Sequence, residues 1–214
     1  MKLISIEQTT LLKFLTPSRS AGQLYLPDVA AALTQRFNFI KHSEIKSERL
    51  EELEFLHGLD SDFAIGKLGI YNDGVVVRSQ SNSAKIEVFF STFMHFMKDT
   101  FDLDFQPTTM AGSIFESNLV VQLDKDVMKV FKKLSRAERL IAEKLLSKSN
   151  INSNCEIDGF SISVEPIDFQ RFKPAQFKLE RRAGADPAIN HYFSVAPLAT
   201  SDHLDLLSDI EKIV

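Results

Sequence analysis

The stretch FAIGKLGIYNDGVVVRSQ, residues 63–80, decides the fold class of this 214-residue chain. Two apolar runs, 63–71 and 75–80, flank Asn72-Asp73-Gly74. Asp-Gly between apolar runs is the strongest short signal for a β-hairpin. Val75, Val76 and Val77 place β-branched side chains on both faces of the second run, which predicts a strand that is covered on both sides.

Elements of both kinds are predicted on either side of this hairpin. Ser5 and Gln8 form a capping-box pattern that predicts a short first helix, and 16–22 resembles a linker. Pro27 suits the first position of the next helix. The spacing of apolar residues predicts helices at 27–41, 47–57, 84–101, from Asp124 or Asp126 to Leu134, at 136–148 and at 202–213. It predicts further strands at 119–123, 155–164, 176–182 and 190–196.

Hairpin-joined strands with helices grouped between them favour one fold class. The expected fold is α+β, with a mainly antiparallel sheet built from hairpins and several helices packed on it. The predicted organisation is an N-terminal helix and linker over 1–22, followed by a single α+β domain over 23–214.

The composition of the chain excludes several classes of protein. The chain has 44% hydrophobic residues, a net charge of −4 and one cysteine, Cys155, which excludes a disulfide framework within the chain and a multi-cysteine zinc site. No window approaches the roughly 18 apolar residues of a membrane helix, and no secretory leader is recognised. We therefore expect a cytoplasmic protein that contacts no membrane, and we expect no cofactor.

The helix predicted at 84–101 is apolar over more than half of its circumference. Tertiary burial is the usual fate of such a helix, and a partner-facing role is the alternative. The residues that would meet a partner are Phe89, Phe93, Phe96 and Met97.

Gly112-Ser113, separated by ten residues from Asp124-Lys125-Asp126, resembles the Gly-Ser and Asp-x-Asp elements of polymerase-β-like nucleotidyltransferases. The resemblance implies a magnesium-dependent enzyme in which Asp124 and Asp126 hold the metal from one face of a strand, with Glu156, Asp158 or Glu165 as the third carboxylate. The alternative is structural, because both aspartates precede Val127, where helix caps and dipole-matched acids belong.

Residues 125–148 carry eight Lys/Arg and three Asp/Glu, a net charge of +5, so the rest of the chain carries −9. A basic face of this kind can bind phosphates, and the candidate nucleic-acid residues are Lys132, Lys133, Arg136 and Arg139. The alternative is a solvated helix face with pairs such as Arg139 with Glu143. Ser135 and Glu138 form a second capping-box pattern.

Two further sets of residues invite a role. His191 and His203 with a carboxylate could bind a metal, although His203 is expected to face water. Strand alternation points Arg181 inward with Phe177 and Leu179, so Arg181 needs a carboxylate, carbonyl or anion partner. Arg181 and Tyr192, on the opposing strand, are also interaction candidates.

No catalytic set converges in the sequence. The favoured function is a non-catalytic interaction, assembly or accessory regulatory subunit that contacts another protein or itself. The alternatives are a nucleic-acid-associated protein and a nucleotidyltransferase-like enzyme.

Overall fold

A computed structural model describes residues 1–19, 24–44, 52–108, 113–163 and 174–214 of the chain. Its contacts divide the chain into two compact units. Unit 1 comprises 1–5, 119–196 and 202–214, and unit 2 comprises 6–118 and 197–201. The predicted division after residue 22 does not follow this pattern, because residues 6–19 belong to the strands of unit 2.

Unit 2 holds most of the strands and the longest helix among the described residues. Its elements are α1 (Leu26–Phe37), β2 (Lys41–His42), β3 (Glu52–Asp60), β4 (Phe63–Tyr71), β5 (Gly74–Ser79), α2 (Ser83–Phe101) and β6 (Leu103–Pro107). Strands β1 (Lys2–Arg19) and β7 (Ser113–Gln122) each cross a boundary between the units, and both have most of their residues in unit 2.

The strand order in unit 2 is β2-β3-β4-β5-β1, and β6 also pairs with β1. All of these ladders are antiparallel. The predicted hairpin is confirmed, with Tyr71 opposite Gly74, and β5 lies between β4 and β1. The prediction that β5 is covered on both faces holds only in part, because Val76 is half-buried and Arg78 is exposed. A Cβ added at Gly74 would lie 2.7 Å from the carbonyl oxygen of Lys13, so glycine here allows β1 to approach the hairpin closely.

Strands β3 and β4 change the face that they bury halfway along their length. On β3 the buried positions pass from Phe55 to Gly58, and on β4 they pass from Ile65 to Leu68. His57 has a φ of +54°, in the left-handed region, and lies at the change on β3. Both halves of the ladder contribute buried side chains to the same core cluster, Phe55 and Leu68 from one half and Phe63 and Ile65 from the other.

Unit 1 contains a smaller antiparallel ladder and two helices. Its elements are a 3-10 helix (Val127–Leu134), α3 (Ser135–Ser149), β8 (Gly159–Ile162), β9 (Phe177–Arg181), a short 3-10 turn (Pro187–Ile189), β10 (His191–Ala196) and most of α4 (Thr200–Ile213). The strand order is β7-β10-β9-β8. Tyr192 lies opposite Arg181, and Ser194 lies opposite Leu179.

The α+β class with a mainly antiparallel sheet is confirmed. Two of the predicted helices are wrong. The first, at Ser5–Leu15, is part of strand β1, because that segment forms ladders with β5 and β6. The second, predicted at 47–57, is strand over 52–57, where the buried Leu53 and Phe55 flank the half-buried Glu54. Residues 47–51 lie outside the described residues. Residues 20–22 of the predicted linker also lie outside the described residues, whereas 16–19 are strand.

Candidate functional site

The apolar face of α2 lies inside unit 2. Phe93 and Met97 have no exposed surface, and Phe89 is 2% exposed. The Phe89 ring packs edge-on against Phe37 of α1, with the centroids 5.2 Å apart. Phe96 is half-buried and packs against the same core. The predicted partner-facing role of Phe89, Phe93 and Met97 is wrong, because the unit's own helix and strands cover them.

A polar network in unit 1 is centred on Asp126. Its Oδ1 accepts hydrogen bonds from the Arg181 Nη2 at 2.6 Å, the Tyr192 hydroxyl at 3.0 Å and the Met128 backbone N–H at 3.2 Å. The third bond makes Asp126 the N-cap of the 3-10 helix, as one interpretation of the sequence predicted. Asp126 is the carboxylate partner that an inward-pointing Arg181 requires.

Tyr192 is fully buried. The prediction that Tyr192 contacts a partner is therefore wrong. Burial and the hydrogen bond to Asp126 raise the pKa of Tyr192 to about 12, although the charge of Arg181 acts in the opposite direction. The hydroxyl therefore stays protonated near neutral pH and serves as a donor to Asp126. The network ties three separate segments of unit 1 together.

The two aspartates of the nucleotidyltransferase resemblance are not held on one face of a strand. Strand β7 ends at Gln122, before both of them, and the Asp124 side chain is 79% exposed. Asp124 Oδ2 lies 2.6 Å from the amino group of Met1, while the Glu211 carboxylate accepts the backbone N–H groups of Asp124 and Lys125. Gly112 and Glu165 lie outside the described residues. The predicted strand geometry is wrong, because the chain turns toward the 3-10 helix at this point.

A cleft of about 640 Å³ adjoins the Asp126 network within unit 1. Equal numbers of cations and carboxylates line it. They are Lys125, Lys129 and Arg181, with Asp124, Asp126 and Glu156. Because the charges balance and Arg181 is already bound to Asp126, the cleft offers no concentrated field of either sign.

His203 is fully buried in unit 1, so the prediction that it faces water is wrong. Its Nε2 lies 2.8 Å from the hydroxyl of Ser194, which donates a hydrogen bond to the carbonyl of Lys178. Ser194 and His191 are three residues apart on β10, so they point to opposite faces of the ladder. His191 and His203 are therefore not brought together on one face.

A second polar network lies in unit 2, where Glu54 accepts hydrogen bonds from the Lys67 ammonium and from the Tyr71 hydroxyl, the latter at 2.6 Å. The hydrogen bond from Lys67, followed by that from Tyr71, lowers the pKa of Glu54. Lys67 also lines a cleft of about 760 Å³ next to His57 and Arg78. This network fixes β3 against β4, because Glu54 is on one strand and its two donors are on the other.

The basic segment, defined as residues 125–148, is almost entirely at the surface. All four candidate nucleic-acid residues are exposed: Lys132, Lys133, Arg136 and Arg139. Within the described part of the chain, the ion pairs involve none of the eight cations of this segment. The predicted pairing of Arg139 with Glu143 is thus not formed. No carboxylate in the described part of the chain forms an ion pair with the cations of the basic segment.

Helix α3 has no buried residue along its 15 positions. Leu140, Ile141 and Leu146 are 48%, 54% and 51% exposed. The Glu138 carboxylate accepts the backbone N–H of Ile157 at 3.0 Å, so it does not form the predicted capping box with Ser135. The preceding 3-10 helix packs more closely against unit 1, because Val127 and Met128 are buried. The ring centroids of Phe131 and Phe160 also lie 5.3 Å apart.

The described ranges contain neither a cluster of metal-ligating side chains nor a helix that could span a membrane. No three His, Cys, Asp or Glu side chains in the described ranges are grouped so that they could hold a metal ion. No helix in those ranges combines the length and apolarity that crossing a bilayer requires.

No family model, curated protein or solved structure matches this chain.

Sequence reasoning missed the exposed leucines and isoleucine of α3. The signal was present: the apolar residues between Leu134 and Leu146 are distributed around the helix, so no single neighbouring layer can cover all of them.

Proposed function

We propose that the protein is a non-catalytic assembly or accessory subunit that binds another protein through α3. The observation that carries the proposal is the exposure of Leu140 and Ile141 on a helix without a single buried residue. Helices of this length usually owe their stability to packing of an apolar face. A partner that covers these two side chains would supply the missing packing, worth about 1 kcal/mol for each half-exposed residue.

Protein is favoured over nucleic acid as the partner because of the same apolar residues. Phosphate groups need cations and hydrogen-bond donors but gain little from half-exposed Leu and Ile side chains. The central parts of protein interfaces do bury apolar side chains, with charged groups at the rim.

The experiment places a photo-crosslinking amino acid at position 140 in the full chain, in the cells that produce it. A matched control carries it at position 88 on α2, where Val88 is 68% exposed. We expect one protein to be crosslinked from position 140 and not from position 88. That protein, once purified, should bind the full chain, and Leu140→Ala with Ile141→Ala should weaken its Kd about tenfold or more. Equal crosslinking from both positions, or unchanged binding by the double variant, would contradict the proposal.

Nucleic acid is the second candidate, supported by the four exposed residues of the basic segment and by their lack of ion pairs within the described residues. Duplex DNA and single-stranded RNA probes would test it by fluorescence anisotropy at two salt concentrations. Salt-sensitive binding that is abolished by charge reversal at Lys132, Lys133, Arg136 and Arg139 would favour this function. No binding at low salt would remove it.

A further inference from the structure

We infer that the partner segment of α3 is an acidic amphipathic helix; this inference rests on the proposed function and names the chemistry of its partner. The relevant surface is here termed the α3 surface, and it consists of Arg136, Ala137, Leu140, Ile141, Lys144 and Lys148. All six of these residues are exposed.

The spacing places these residues side by side. Arg136, Leu140, Lys144 and Lys148 follow one another at intervals of four, which makes them neighbours along one row of the helix. Ala137 and Ile141 belong to the adjacent row. The α3 surface therefore combines three cations with two large apolar side chains.

No carboxylate lies in these two exposed rows. Glu138 is directed to the backbone of Ile157. Glu143 lies outside the two rows, at the edge of the α3 surface, three positions after Leu140 and four after Arg139. The absence of intervening negative charge makes the α3 surface complementary to a segment that alternates acidic and apolar residues. A helix with leucines at intervals of three and four would set them against Leu140 and Ile141, while its acidic flanks would meet Arg136, Lys144 and Lys148.

The other exposed side of α3 provides matched controls. Arg139 and Leu146 are also exposed, Leu146 to 51%, and both lie beside Glu143 on the side of α3 away from Ile141. Changes at these two positions alter charge and apolar area without touching the proposed contact.

The test uses a fluorescein-labelled designed peptide of about 18 residues, with Leu at helical intervals and Glu at most other positions. Polyglutamate of the same length and a duplex DNA of similar charge are the competing probes. We expect the full chain to bind the peptide at least about tenfold more tightly than polyglutamate. Leu140→Ala with Ile141→Ala should remove that preference, and Lys144→Glu with Lys148→Glu should abolish binding. Leu146→Ala and Arg139→Glu should change the Kd less than about threefold.

Three outcomes would overturn the inference: equal affinity for polyglutamate, tighter binding of DNA than of the peptide, or no peptide binding at all. Self-association of the chain through α3, detected as a mass above 24.2 kDa that is lost in the Leu140→Ala, Ile141→Ala variant, would also overturn it. If a protein is crosslinked from position 140 but the peptide does not displace it, the proposed function stands. That result overturns only the inference that the partner segment is an acidic amphipathic helix. Failure of the crosslinking itself contradicts the proposed function.

Discussion

Arg181 and Asp126, 55 positions apart in the chain, form an ion pair with 2.6 Å between Nη2 and Oδ1. Their side chains are 17% and 22% exposed, so the pair is shielded from much of the solvent screening that weakens surface pairs. Asp126 also caps the 3-10 helix that leads into α3. One carboxylate therefore fixes both the inner face of the β9-β10 ladder and the start of the proposed binding segment.

Two replacements of Asp126 should distinguish the effect of its charge from the effect of its hydrogen bonds, including the cap of the 3-10 helix. Asp126→Asn keeps a capping oxygen and an acceptor for Tyr192 but loses the charge, and we expect it to cost about 1–2 kcal/mol in the free energy of unfolding. Asp126→Ala loses all three hydrogen bonds, and we expect about 2–4 kcal/mol. Denaturant unfolding measures both values, with Glu143→Gln on the exposed side of α3 as the control. Equal losses for the two variants would contradict the capping role.

The burial of the α2 face predicts a large stability effect and no direct binding effect. Phe93→Ala should lower the free energy of unfolding by about 3–5 kcal/mol, because it empties a site with no exposed surface. Val88→Ala, on the exposed side of the same helix, should change it by less than about 0.5 kcal/mol. Thermal and denaturant unfolding would check this. A stable, unchanged Phe93→Ala protein would restore the partner-facing interpretation.

Glu54 should make the stability of unit 2 dependent on acid. Its pKa is lowered from an ordinary value of 4.5 by Lys67 and Tyr71, so the folded state favours the ionised carboxylate. That contribution is fully present above pH 4.5 and is lost as the pH falls below 4.5 through the folded-state pKa. Glu54→Gln should therefore be less stable than the parent by about 1–2 kcal/mol at pH 7, and the difference should shrink below pH 4.5.

The measurement is denaturant unfolding of both proteins at pH 7 and at several values below 4.5. Glu87→Gln, on the exposed face of α2, is the matched control and should change the free energy of unfolding by less than about 0.5 kcal/mol. A stability difference for Glu54→Gln that stays constant into the acid range would mean that the carboxylate charge is not the source.

Hydrogen exchange should distinguish α3 from α2. Amide protons of α3 are held by a helix with no buried residue, whereas α2 buries six. We therefore expect α3 to exchange at least about tenfold faster than α2 in the free protein, since its opening costs less free energy. Binding of the acidic peptide should slow exchange in α3 selectively. Equal protection of the two helices in the free protein would contradict the unburied state of α3.

Local sequence signals predicted the elements that depend on neighbouring residues. Pro27 lies in the first turn of α1, Asp126 caps its helix through a short-range hydrogen bond, and the Asp-Gly hairpin forms as expected. The capping pattern at Ser5 failed, because β1 is held by strands that lie more than 50 residues away in the chain. Such ladders leave little trace in a window of ten residues.

Contacts between distant residues show the same limit. Strand alternation predicted that Arg181 points inward, but not that Asp126 receives it. Ser83 and Thr200 exchange hydrogen bonds, and each backbone N–H donates to the other residue's hydroxyl at 3.1 Å. Nothing within either segment specifies this pairing.

Composition, residue spacing and turn chemistry suffice to predict the α+β class, the central hairpin and the positive charge of residues 125–148. The burial of the aromatic face of α2 and the exposure of Leu140 and Ile141 on α3 are visible only once the chain is folded. Periodicity shows that a helix has an apolar face, but only the packing of the other elements determines whether that face is buried.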